Sequence, residues 1–255
     1  MRHQLRLFLV AVQFLTRVPV RTDDEFDPDW LNQSARYFPA VGLLLGLVAT
    51  LVYATACAWL APGPAAWLSI ATTIFITGAF HEDGFADTCD GLGGSVTKQR
   101  ALEIMKDSRI GAYGAVGVVV LLGIKASTLA ALPVSTAAAA LLLGHTASRA
   151  AAISLTWFLP YGGDVDHAKT KPLARISQFS LLIALSWVVV TSAGLALYHP
   201  AWGLAIVASL LGVAVVALGC GHWFQRRLGG FTGDTLGATQ QACEAALWLI
   251  WLSAA

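Results

Sequence analysis

Charge is what this 255-residue sequence has least of: 16 Lys and Arg and 15 Asp and Glu make up only 12% of it. Soluble domains carry about twice that fraction, and 56% of these residues are hydrophobic, so a soluble globular protein is excluded and an integral membrane protein expected. Cysteine is also scarce. Cys57, Cys89, Cys220 and Cys243 show neither a C-x-x-C spacing nor a paired arrangement, which argues against a disulfide framework and a zinc site. No G-x-x-x-x-G-K-[ST] loop is present, so an ATPase of that class has no support, and no nucleophile-elbow serine appears. A cleavable leader is not expected: the apolar run LFLVAVQFL is followed by Thr16, Arg17, Pro19 and Arg21 rather than a small-x-small site. Too short to span about 30 Å, that run reads as an interfacial or half-buried helix.

What is present is a series of long apolar segments. The expected spans run over about 37–61, 65–80, 112–132, 134–159, 177–198 and 201–220, with a last apolar helix after residue 234. The expectation is an all-α, polytopic membrane helix bundle of about seven transmembrane helices plus the N-terminal helix, in a single domain over 1–255. The three short turns, around 61–64, 133 and 199–200, hold no Lys, Arg, Asp or Glu, whereas nearly every Lys and Arg falls on the opposite side. The positive-inside rule then places the long loops in the cytoplasm and the C-terminus outside.

Those long loops carry the chemistry. The stretch HEDGFADTCDGLGGS, residues 81–95, packs Glu82, Asp83, Asp87 and Asp90 into nine positions, and on a helix the three aspartates share a face at i, i+4 and i+7. Stacked like charges repel, so a cation is expected between them. Mg²⁺ takes carboxylate oxygens and completes its shell with water and substrate phosphate. The competing reading is a solvated acidic helix start, favoured by the helix dipole. A second acidic set lies on the last helix, where Asp234, Gln241 and Glu244 share a face; for Asp234 a simple N-cap competes. Between the two sets, EIMKDSRIGAYG supplies Lys106, Arg109 and Gly111, which suit a polyphosphate, or merely a basic loop that obeys the topology rule. Lys125, Arg149 and Glu244 lie deep within spans, where charge pairs, snorkels or serves function. These residues suggest Mg²⁺-dependent transfer of a phosphate or diphosphate at one membrane face, with ion transport through Lys125 and Glu244 as the rival.

The blocks FLTRVPV, FHEDGFADTCDGLGG, KDSRIGAYG and GGFTGDTLGA, in this order and across nearly the whole chain, resemble the cobalamin synthase (adenosylcobinamide-GDP ribazoletransferase) family. Cys89 stands where that family commonly has a small residue, and the loop YGGDVDHAKTKPLAR matches only loosely. The Asp spacings of CDP-alcohol phosphotransferases and intramembrane prenyltransferases are absent. The resemblance implies an Mg²⁺-dependent enzyme of the bacterial inner membrane, its active site facing the cytoplasm. Such an enzyme joins α-ribazole, or its 5′-phosphate, to adenosylcobinamide-GDP, forms adenosylcobalamin or its phosphate and releases GMP. The expected partners are these small-molecule substrates and the lipid bilayer, with no nucleic acid and with a homo-oligomer left open. On that reading Glu82, Asp83, Asp87, Asp90 and Asp234 are the metal set, and Glu244 joins Asp234 in holding a second metal or orienting the nucleophile. Glu82 or His81 is a candidate base, and Lys106, Arg109, Gly111 and Arg149 bind the diphosphate.

Overall fold

A computed structural model describes residues 2–20, 29–163 and 176–254. The acidic segment from Asp23, and most of the loop after Tyr161 with Lys169, Lys171 and Arg175, lie outside the described residues. Among the described residues the chain is α-helical with no strand, only an isolated bridge between Tyr161 and Phe231. The α-helices are α1 (Arg2–Leu15), α2 (Asp29–Ser34), α3 (Phe38–Cys57), α4 (Pro62–Thr77), α5 (Phe80–Gly94), α6 (Lys98–Met105), α7 (Ala112–Ala131), α8 (Val134–Phe158), α9 (Gln178–Tyr198), α10 (Gly203–Leu228) and α11 (Gly233–Ser253).

Five of the helical segments are long and apolar enough to cross a membrane: α3 with its lead-in from Asp29, α7, α8, α9 and α10. The count rises to six if α4 and α5, which meet at a 90° bend, make one broken span. The expected membrane bundle is therefore present, with five or six candidate spans among the described residues against the seven or so expected. α11 is 21 residues long, but Asp234, Gln240, Gln241 and Glu244 make its first half polar. α1 is a short apolar helix that buries Leu7, Val10, Ala11 and Leu15 at three- and four-residue intervals, as a helix half-sunk against α3 should.

α8 is the centre. In its most apolar window 78% is buried, against 28–39% for the other four spans, so it is surrounded by protein where they face outward. Small residues permit this. Gly42 and Gly46 bring α3 against the α8 backbone at His145 and Leu141, where an added Cβ would collide, and Gly144 seats the indole of Trp248 from α11. The outer faces of α3, α7, α9 and α10 expose Leu47, Val119, Val190 and Leu211 among many others, which suits lipid as the surrounding phase.

Several boundaries depart from expectation: α3 stops at Cys57 rather than 61, α4 already starts at Pro62, and two further ends are set by left-handed residues. The second span ends at Thr77, not Phe80, because Gly78 (φ 68°) and Ala79 (φ 60°) both enter the left-handed region and redirect the chain into α5. α10 continues through Trp223 and the two arginines to Leu228, a stretch expected as loop. No breaker precedes Gly229, whose φ of 74° ends the helix.

Candidate active site

α5 is the pivot, lying against α11 on one side and α7 on the other. Its contact with α11 is made by missing side chains: a Cβ on Gly84 would come within 2.9 Å of the Asp234 carbonyl oxygen, and one on Gly237 within 3.2 Å of that of His81. The close approach sets Asp234, at the start of α11, beside the acidic face of α5. Asp87 feels Asp234 most strongly among its charged neighbours, then Asp83 and Asp90, and Asp234 in turn feels Asp83. Asp83 is exposed, Asp87 and Asp234 half-buried. The two carboxylate stretches, 150 residues apart in the chain, do meet.

Asp90 stands apart from this group. Its Oδ2 accepts the Gly111 N–H at 2.7 Å and its Oδ1 the Gly114 N–H at 2.8 Å, so one carboxylate caps the N-terminus of α7. A Cβ at Gly111 would lie 2.9 Å from Asp90 Cγ, so glycine is needed there for the capping contact rather than for a ligand. Gly111 thus serves α7, and Asp90 serves the junction.

Glu82 also leaves the outer group. It is buried and turned inward, its Oε1 accepting from Gln241 Nε2 at 2.8 Å. Gln241 Oε1 accepts from Lys125 Nζ at 2.9 Å, and Lys125 lies 2.6 Å from Glu244 Oε1. The other oxygen of Glu244 is met by His145 Nδ1 at 2.8 Å and Gln240 Nε2 at 2.7 Å, with Arg149 Nη1 at 3.8 Å. Asp234 and Glu244 therefore do not share a metal. Ten residues of helix separate them by about 15 Å, and Glu244 is surrounded by cationic and donating groups. Lys125 takes the structural ion pair that the sequence left open, and with it the argument for an ion path loses its free charges. His81 and Arg149 line a cleft beside this network, not the outer mouth. That cleft, with room for about one water-sized group, is bounded by Thr73, Thr77, His81, Glu82, His145, Arg149, Gln240, Gln241 and Glu244. Gln240, Ser148, Thr73 and Thr77 escaped the sequence reading; the i, i+4 pair Gln240–Glu244 and the pair of threonines at the end of α4 were the signals available.

The basic segment between α6 and α7 is anchored to α5 through the Gly111–Asp90 contact. Lys106 and Arg109 are exposed on it, Arg109 gripping Asp107 through Nη2–Oδ2 at 2.6 Å and Nε–Oδ1 at 3.0 Å. Arg109 holds the Asp107 carboxyl down at about 2. Arg227 of α10 donates to the Ser95 carbonyl and ties α10 to the loop that follows α5.

Among the described residues, no group of three or more His, Cys, Asp or Glu is placed to hold a metal ion. Asp83, Asp87 and Asp234 lie at one junction, with no Lys or Arg among the charges that Asp87 and Asp234 feel. One or two such carboxylates suit Mg²⁺ only in company with water and substrate phosphate, which complete its shell.

Apolar helices around a buried, charge-paired network, with an unneutralised carboxylate group at its edge, define a polytopic membrane protein with a polar site inside the bundle. A profile of the cobalamin-5-phosphate synthase (CobS) family matches residues 7–252, and the chain belongs to that family. Curated relatives named adenosylcobinamide-GDP ribazoletransferase include one from Leptothrix cholodnii, 48% identical over 98% of this chain and 96% of its own. Others are from Shewanella piezotolerans, 42% identical over 98% and 96%, and Vibrio cholerae, 42% identical over 99% and 95%. No solved structure matches.

Proposed function

We propose that this chain carries out the ribazole-transfer step of cobalamin synthesis. In the finer reading, α-ribazole or its 5′-phosphate is joined to adenosylcobinamide-GDP, and GMP is released. The relatives' shared name and the full-length match support the step. The observation that carries the chemistry is the meeting of Asp83, Asp87 and Asp234 at the glycine-lined contact of α5 and α11.

The 3′-hydroxyl of the ribazole attacks the phosphorus joined to the cobinamide arm; a P–O bond forms to the nucleoside and the P–O bond to GMP breaks. Asp83, Asp87 and Asp234 would hold Mg²⁺, which when bound neutralises phosphate oxygens and stabilises the charge of the displacement. Arg109 and Lys106 bind the diphosphate from the α6–α7 loop, where guanidinium and ammonium groups supply charge-assisted hydrogen bonds. Glu82 Oε2, buried and without a hydrogen-bond partner among the described residues, receives the proton of the attacking hydroxyl. Gln241 and Lys125 hold that carboxylate in place through its other oxygen. The site opens to the basic side of the bundle, which the positive-inside rule makes the cytoplasmic side of the inner membrane.

The test is GMP release by the purified protein in lipid nanodiscs supplied with adenosylcobinamide-GDP, α-ribazole and Mg²⁺. Wild-type protein is expected to form GMP and the cobalamin product together, and Asp87→Asn to lower the rate at least 100-fold, as loss of a charge-stabilising group does. Near-normal release by Asp87→Asn would refute the carboxylate assignment, and no product from the wild type would refute the function.

A further inference from the structure

The cleft behind Glu82 holds more unanswered hydrogen-bonding capacity than any proton transfer requires. Among the described residues, four buried polar atoms with neither a hydrogen bond nor an ion pair belong to its walls: Glu82 Oε2, His145 Nε2, Arg149 Nε and Gln240 Oε1. All four side chains are at least nine-tenths buried. Buried polar atoms without a protein partner are costly, about 1–3 kcal/mol each, and several facing one opening suit a group that can bond them.

The charges say what kind. Lys125 and Arg149 contribute two positive charges, Glu82 and Glu244 two negative, and Glu244 is already answered by Lys125 and His145. Arg149 and Glu82 remain on the walls as one charge of each sign once Lys125, outside the lining, has paired Glu244, so a phosphate or a metal ion would meet as much repulsion as attraction. What remains is directional: Arg149 Nε donates, Gln240 Oε1 accepts, and His145 Nε2 accepts when Nδ1–H is donated to Glu244. A group that both donates and accepts while remaining uncharged satisfies this set; water does, and so does a hydroxyl, which a nucleoside brings with it.

We propose that this cleft seats a neutral sugar hydroxyl, the 2′-hydroxyl of the ribazole nucleoside, vicinal to the 3′-hydroxyl that faces Glu82. This rests on the ribazole-transfer reading and adds to it a specificity site formed by Arg149, His145 and Gln240. Arg149 is thereby removed from the diphosphate and given to the nucleoside. Thr73 and Thr77 close the cleft from α4; the Thr77 hydroxyl is spent on its own helix, donating to the Thr73 carbonyl, so Thr77 contributes volume rather than recognition.

The test is equilibrium binding of α-ribazole and of 2′-deoxy-α-ribazole to nanodisc-embedded protein without Mg²⁺ or adenosylcobinamide-GDP, so that turnover plays no part. The wild type is expected to bind the deoxy compound about tenfold more weakly, the scale of one hydrogen bond to a charged donor. Thr77→Leu, which fills the cleft without touching the charged network, is expected to weaken α-ribazole to the level of the deoxy compound and abolish the difference. Equal affinity of the wild type for the two compounds, alongside normal GMP release, overturns the cleft assignment and leaves the transfer reading standing. A tenfold difference that persists in Thr77→Leu places the 2′-hydroxyl elsewhere and overturns it too. Absence of both α-ribazole binding and GMP formation overturns the two together.

Discussion

Glu244 illustrates how a buried carboxylate becomes tolerable. Its side chain is almost entirely enclosed, yet Lys125 lies 2.6 Å away, His145 2.8 Å and Gln240 2.7 Å, so desolvation is offset by several short polar contacts. Removing one partner should therefore cost far more than removing both. Lys125→Met is expected to destabilise the protein by about 3–5 kcal/mol, and the pair Lys125→Met with Glu244→Leu to recover much of it, measured by thermal melts in detergent. Arg109 is the opposite case, an exposed side chain with one carboxylate partner. Asp107, lowered from 3.8 to about 2, contributes a small stability that is fully present above the higher value and is lost as pH falls through the lower one. Arg109→Ala should accordingly raise KM for adenosylcobinamide-GDP about tenfold with kcat much less affected, and the pH profile should keep its shape in steady-state assays. Unchanged KM would remove Arg109 from the diphosphate. Sequence legibility at this scale was uneven. The acidic residues of α5 announced themselves, but the separation of Glu82 and Asp90 from Asp83 and Asp87 did not. It depends on Gln241 and Gly111, which reach α5 from other helices.

At the scale of elements, the α4–α5 bend and the α5–α11 contact decide where the carboxylates point. Ala79 is the only described non-glycine residue with positive φ, next to Gly78, whose own added Cβ would strike the Arg17 guanidinium. The bend was illegible because TGAF reads as the tail of an apolar run with no proline to mark it. Ala79→Gly should relieve about 1 kcal/mol of left-handed strain and raise the melting temperature without lowering activity. Gly84→Leu should do the reverse at the α5–α11 contact, where even a Cβ meets the Asp234 backbone. The helices must part, and transfer should fall at least tenfold even where helicity by circular dichroism is retained. The bundle itself was legible from apolar run length and charge-free turns. The exact ends of α10 and α4 were not, since both depend on where a left-handed residue happens to stop a helix.

For the whole molecule, the charge-free short turns and the basic long loops predict one orientation in the membrane. With native cysteines replaced, a single cysteine at Gly63, in the charge-free turn side of α4, should react with an impermeant maleimide in spheroplasts. One at Lys106 should react only after permeabilisation. The reverse pattern would invert the topology. If Asp83, Asp87 and Asp234 together form a divalent-cation site completed by the substrate's phosphates, that site should bind Mn²⁺, which electron paramagnetic resonance detects on nanodisc-embedded protein with adenosylcobinamide-GDP present. Tight Mn²⁺ binding, competed by Mg²⁺, is expected in the wild type, lost in both Asp87→Asn and Asp234→Asn but kept in Glu244→Gln. Mn²⁺ bound equally by the wild type and both aspartate variants would contradict it.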